Sequence, residues 1–185
     1  MASVSQLTLT TTNHLHADLA QSPNSDSITR TANGPGLNAS AIFNYQLNGD
    51  GYLEGTWVTN QLGSAAAIGL TTQSASNVSD LAEYLVTWTG TAGAFRIEKL
   101  GADQSTPSQV WQINSGDHAQ VRITITGTTV TFEAFDVGVG WVELLELTGE
   151  TVPANLRPIV FVSTDDADVK YVDDLLIDGS WSQWS

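Results

Sequence analysis

Residues 115–135 read SGDHAQVRITITGTTVTFEAF. Val121, Ile123 and Ile125 alternate with polar residues, as do Val130, Phe132 and Ala134. Period-two alternation is the mark of a strand with one buried face. Gly127-Thr128 separates the two runs and suits a two-residue type II′ turn, whose first position needs a positive φ. That turn sets a register: Thr126 opposite Thr129, Ile125 opposite Val130, Thr124 opposite Thr131, Ile123 opposite Phe132, Arg122 opposite Glu133. Each apolar residue then meets an apolar partner and the one base meets an acid, whereas a one-residue slip undoes every pairing.

Outward from this hairpin, short alternating runs recur. Upstream stand 41–47 with Phe43 and Tyr45, 52–59 with Leu53 and Trp57, 65–72, 83–89 with Tyr84, Val86 and Trp88, 94–100 with Phe95 and Ile97, and 110–113. Downstream follow 141–147, 158–162 and 169–177. Asn48-Gly49-Asp50-Gly51 reads as a turn between two of these strands, and Asn33-Gly34-Pro35-Gly36 as another. Many short strands with regular turn signals predict an all-β sandwich or barrel. Residues 78–85 have a faint helical pattern. An alternation around Leu7 and Leu9 suggests a first strand, followed by an irregular stretch to Thr31.

The chain has 185 residues, of which 41% are hydrophobic and 14% charged, a length and composition expected of one folded domain. Ser, Thr, Asn and Gln supply the polar surface in place of charges. The net charge of −14, with six Lys and Arg in all, argues against nucleic acid and against anionic membranes, since both need clustered cations. With no Cys, disulfides and thiolate metal sites are excluded. Residues 1–22 lack the basic start and apolar run of a signal peptide, and no run reaches the ~20 apolar residues of a membrane helix.

Three stretches resemble the concanavalin A-like lectin/glucanase β-sandwiches, in particular non-catalytic modules of phage tail and bacterial surface proteins. They are Asn48 to Trp57 with Ala67-Ile68-Gly69-Leu70-Thr71, then Tyr84 to Leu100, then Ser115 to Val130; Val169 to Asp178 resembles the closing strand. Where such hairpins often continue into Asn-Gly, this chain has Asp136-Val137-Gly138-Val139-Gly140. The resemblance implies an antiparallel two-sheet jelly roll over residues 37–179. It leaves 1–36 as an extended N-terminal arm making assembly contacts and 180–185 as an aromatic tail. The fold alone does not fix function, because enzymes, lectins and virion modules share it.

Catalytic sets are weak. Glycoside hydrolysis needs two carboxylates about 5–9 Å apart, and Glu143 and Glu146, three apart on a strand, are expected on opposite faces. Arg96-Ile97-Glu98 followed by Gln112-Ile113-Asn114 resembles the alginate-lyase pattern with Asn where that family has His. Arg96 and Glu98 read more simply as a same-face surface pair. His14, His16 and His118 are too scattered for a zinc site. Asp165, Asp166 and Asp168 form an oxygen-rich segment that suits Ca²⁺ or a solvated acidic turn. No other cofactor is expected.

Of the six Trp, Trp57 and Trp88 fall in strand alternation and are expected in the core. Trp111 and Trp141 lie near strand ends, where exposed Trp stacks on sugar rings or anchors protein partners; with Asp136 they are the candidate ligand-binding residues. Leu7, Leu9, Trp181 and Trp184 are the candidate interface residues of a homo-oligomer. Trp181-Ser182-Gln183-Trp184-Ser185 matches the Trp-Ser-x-Trp-Ser box of cytokine receptors, where Trp stacks with Arg. With no Cys and few Arg the match reads as coincidence, and an aromatic tail docks on its own domain or on a partner. The leading expectation is a non-enzymatic structural or attachment protein of a phage virion, a capsid-decorating or tail-fibre module contacting other virion proteins or cell-surface glycans. The alternatives are a lectin-like carbohydrate-binding module in an extracellular or cell-surface setting, and a polysaccharide lyase or glycosidase of the same fold.

Overall fold

The computed structural model describes residues 5–7, 12–15, 19–21, 28–30, 39–59, 65–73, 82–89, 94–104, 118–162 and 170–184. These contain β1 (Ser5–Gln6), β2 (Thr12–Leu15), β3 (Leu19–Gln21), β4 (Ile28–Arg30), β5 (Ser40–Phe43), β6 (Tyr45–Thr59), β7 (Ala65–Thr71), β8 (Tyr84–Thr89), β9 (Ala94–Lys99), β10 (Ala102–Asp103), β11 (His118–Thr126), β12 (Thr129–Asp136), β13 (Gly140–Leu147), β14 (Arg157–Val162) and β15 (Lys170–Gln183). They form two antiparallel sheets, as the resemblance implies. The eight-stranded sheet runs β13-β12-β11-β6-β15-β4-β3 with β1 added on β15; the seven-stranded sheet runs β10-β9-β8-β7-β14-β5-β2.

The central hairpin has the predicted register throughout, from Thr126 opposite Thr129 to Arg122 opposite Glu133. Gly127 sits at φ +58° in its turn. Alternation then divides the side chains: Val121, Ile123, Ile125, Val130 and Phe132 are buried between the sheets. Two ring contacts cross that core, Trp57 with Phe95 at 5.8 Å and Tyr84 edge-on to Phe132 at 6.4 Å. The backbone of Trp88 lies in β8, while its side chain is outside the described residues. β14 is buried at all six positions, because Val160 and Val162 join the main core and Ile159 and Phe161 join a second cluster with Ile42 and Leu85.

Two expectations are corrected. The Asn48–Gly51 segment is no turn; it lies inside β6, an uninterrupted strand of fifteen residues. The chain bends instead at Asn44, where it leaves the seven-stranded sheet for the eight-stranded one. The glycines allow close strand approach. A Cβ on Gly51 would stand 2.7 Å from the Asp178 carbonyl oxygen, and one on Gly179, at φ +107°, would stand 2.4 Å from the Gly51 Cα. The second correction concerns Glu143 and Glu146. A bulge skips Leu144, so that Glu143 pairs with Glu133 and Glu146 with Thr131. Both glutamates are therefore exposed on one face.

The N-terminal region read as an arm supplies strands to both sheets: β1 pairs with β15, β2 with β5, and β3 with β4. The stretch read as a tail continues β15, with Ser182 opposite Gln46.

Candidate functional site

The face of the eight-stranded sheet turned away from the core follows from the same alternation. With Leu53 and Trp57 of β6, Ile123 of β11 and Phe132 of β12 buried, Tyr52, Glu54, Gln120, Arg122, Thr124, Glu133 and Phe135 fall on the outer side. Register aligns four of the charged groups in one row: Glu143 opposite Glu133, Glu133 opposite Arg122, and Arg122 opposite Glu54.

Arg122 is held from several directions. Its Nε donates to Glu133 Oε2 at 2.9 Å, its guanidinium carbon lies 4.2 Å from the centre of the Trp141 ring, and Tyr52 stands 5.4 Å away. Thr124 Oγ1 donates to the same glutamate oxygen at 3.4 Å. Trp141, paired with Phe135 across β12 and β13, meets that ring edge-on at 5.5 Å. Phe135 keeps 44% of its surface in solvent. Beside this group Gln120 Nε2 donates to Glu54 Oε1 at 2.6 Å.

Glu54 is only 9% exposed. Burial is the main cause that raises its carboxyl pKa above the usual range; the Gln120 hydrogen bond and Arg122 pull it down, while Glu133 and Asp174 push it up. Tyr52 is also raised, first by burial and then by the charges of Asp178 and Glu54. The face thus joins two partly exposed aromatic rings to a fixed set of hydrogen-bonding groups. Acids dominate it, and Arg122, the base of its central row, is already paired.

Of the residues singled out from sequence, Trp141 lies on this face. Asp136 ends β12 and caps the next turn: its Oδ1 accepts from the Gly138 N–H at 2.7 Å and the Val139 N–H at 3.1 Å. Trp111, Asp165, Asp166, Asp168 and Leu9 lie outside the described residues. Among the described residues no three His, Asp or Glu side chains gather as metal ligands. Leu7 is 1% exposed within this chain's own core, its N–H donating to the Leu175 carbonyl at 2.8 Å.

Trp181 packs against the same core and donates from Nε1 to the Asp178 carbonyl at 3.0 Å. Trp184 covers the Arg157 guanidinium at 3.7 Å, so the aromatic tail does dock on its own domain. The Trp–Arg stack dismissed with the Trp-Ser-x-Trp-Ser match is present in this one instance. Arg96 and Glu98 form the expected same-face pair at 2.8 Å, with Asp103 at 3.2 Å from the same guanidinium.

Sequence reasoning missed Tyr52, Glu54, Gln120 and Phe135 as members of one surface. The alternation placed each on an outer face; no signal in the chain reported that β6 and β11 are neighbours.

No family model and no curated protein sequence matches the chain. Its fold does match solved structures. The exoplasmic/lumenal domain of VIP36 in a Ca²⁺/Man-bound form has a TM-score of 0.64 at 8% identity, over 90% of this chain and 80% of that one. A lectin from Bauhinia forficata in complex with GalNAc gives 0.59 at 11% identity over 100% of both chains. Arcelin-5, a lectin-like defence protein from Phaseolus vulgaris, gives 0.61 at 11% identity over 98% and 99%. The fold is the concanavalin A-like lectin sandwich.

Proposed function

We propose that the chain is a non-catalytic carbohydrate-binding module that reads glycans on the outer face of its eight-stranded sheet. The observation that carries this reading is the Arg122–Trp141–Phe135 stack. Arg122, tied to Glu133, backs one face of the Trp141 ring and fixes its orientation. The solvent-facing parts of Trp141 and Phe135 then offer a rigid apolar platform, and the apolar face of a pyranose stacks on such rings at little entropic cost. Gln120, Arg122 and Glu133 surround it with groups for ring hydroxyls.

The fold supports the reading through structural neighbours solved with bound sugars, and it is compatible with an extracellular or cell-surface setting. Those neighbours do not bear on a virion, so the proposal is confined to glycan binding. Glu133 is committed to Arg122 and Glu54 to Gln120; Glu143 and Glu146, exposed on the same face, are the carboxylates that a cleavage assay tests.

A glycan array with the full chain, in buffer with Ca²⁺ and again with EDTA, tests this. Retention of a defined glycan set by the wild type, and its loss in Phe135→Ala, is the expected result. Unchanged retention in Phe135→Ala would refute the site. Loss in EDTA would add a Ca²⁺ requirement, for which Asp165, Asp166 and Asp168 are the candidate ligands. Reducing-end assays on the retained glycans should show no cleavage.

A further inference from the structure

A cleft of about 410 Å³ opens at one end of the sandwich, away from the aromatic face. Val152 and Pro153, over the buried Leu47 and Ile125, form its apolar side, and Asp50 and Asn155 bring polar groups to it. Ligand clefts run from about 300 to 1,000 Å³, so this one has room for a small ring compound.

Its walls come from three separate parts of the chain, each tied to another. The Leu47 N–H donates to the Leu156 carbonyl at 2.9 Å. Asp50 Oδ1 accepts from the Gly127 N–H at 2.8 Å, linking β6 to the hairpin turn. Glu150 anchors the connection between β13 and β14: its N–H donates to the Thr128 carbonyl at 2.8 Å, and its carboxylate accepts from Tyr84 Oη at 3.3 Å and pairs with Lys99. The Asn48 amide is fixed as well, donating to Ser182 Oγ at 2.7 Å and accepting from Gln46 at 2.8 Å. A cleft whose walls are already tied loses little conformational freedom when filled.

The chemistry narrows the occupant. Among the described residues the lining contains one carboxylate, Asp50, and no Lys, Arg or His. An anion would be repelled by that charge with no cation beside it to offset the repulsion. The second carboxylate oxygen of Asp50 and the Asn155 amide, beside Val152 and Pro153, suit a molecule with hydroxyl donors around its rim and C–H groups on one face. We propose that this cleft is a second binding site, for a neutral polyhydroxylated ring of the class of a free hexose. The proposal stands on its own residues and does not depend on the sheet-face reading.

The test is a titration of the ¹⁵N-labelled full chain with glucose, galactose, mannose and N-acetylglucosamine, followed by amide chemical shifts. Saturable shifts at Gly49, Gly127, Ala154 and Asn155 with at least one hexose are expected. Ala154, exposed on the rim, is replaced in Ala154→Trp to fill the cleft; this variant should lose those shifts, while Trp141→Ala keeps them. Asp50→Asn retains the oxygen that accepts from Gly127 and should weaken binding several-fold, which keeps the test open if the tryptophan variant misfolds. Absence of saturable shifts with all four sugars would overturn the site, as would shifts that persist in both cleft variants. Joint loss in Trp141→Ala would assign the sugar to the sheet face instead.

Discussion

The guanidinium of Arg122 lies 4.2 Å over the ring of Trp141, although the two residues stand on strands separated by β12. The contact bridges the intervening strand because Glu133, on that strand, holds Arg122 Nε at 2.9 Å. The pair is partly shielded, with side chains 22% and 19% exposed. Glu133→Gln is expected to cost about 1 kcal/mol in urea unfolding. It should also shift the Trp emission to the red as the ring loses its backing. A stability change with no spectral change would mean that Glu133 does not position Trp141.

Glu54 gives a pH signature. Its carboxyl pKa is raised in the folded state, chiefly by burial, so the folded chain holds this proton more tightly than the unfolded one. The associated stability is fully present below the unfolded carboxylate pKa and is lost as pH rises through the folded value. Glu54→Gln keeps an acceptor for Gln120 and stays neutral. The variant should melt above the wild type at neutral pH, and the gap should close below about pH 4. A gap independent of pH would show that the ionised carboxylate is not the cause.

The two glycines at the β6–β15 contact should behave unlike the turn glycine. Gly179→Ala places a methyl 2.4 Å from the Gly51 Cα at φ +107° and should cost about 3 kcal/mol or more. Gly127→Ala meets nothing within 4 Å at φ +58°, so only the left-handed conformation is penalised, by about 1–2 kcal/mol. Denaturant midpoints of the two variants check the ranking, and equal midpoints would contradict it.

Trp184 covers Arg157, whose pKa is lowered by burial and whose Nη1 donates to the Gln73 carbonyl at 3.3 Å. Trp184→Ala should cost about 1–2 kcal/mol through the lost stack. An unchanged denaturant midpoint would mean that the tail contributes no stability.

The hairpin was legible because its information is local: alternation names the faces and Gly127-Thr128 fixes the register over a few residues. The strands from 65 to 99 were legible for the same reason. Asn48-Gly49-Asp50-Gly51 misled because its composition suits a turn, whereas Gly51 is required by the close approach of the Asp178 carbonyl, a contact that no local pattern reports. The bulge at Leu144 was hidden as well, since one skipped residue reverses the faces of all that follow. The candidate site depends on β6 lying beside β11. Gln120 meets Glu54 across 66 residues of sequence, so Trp141 could be named from the chain alone but its surroundings could not.

In the proposed function Trp141 and Phe135 bind a sugar ring on the outer sheet face. Isothermal titration of the glycan best retained on the array, into the wild type, Trp141→Ala and Phe135→Ala, tests it most directly. The wild type should give measurable heat of binding and each variant at least a ten-fold loss in affinity, about 1.4 kcal/mol, with the fold intact by circular dichroism. Equal affinity in all three proteins would contradict it.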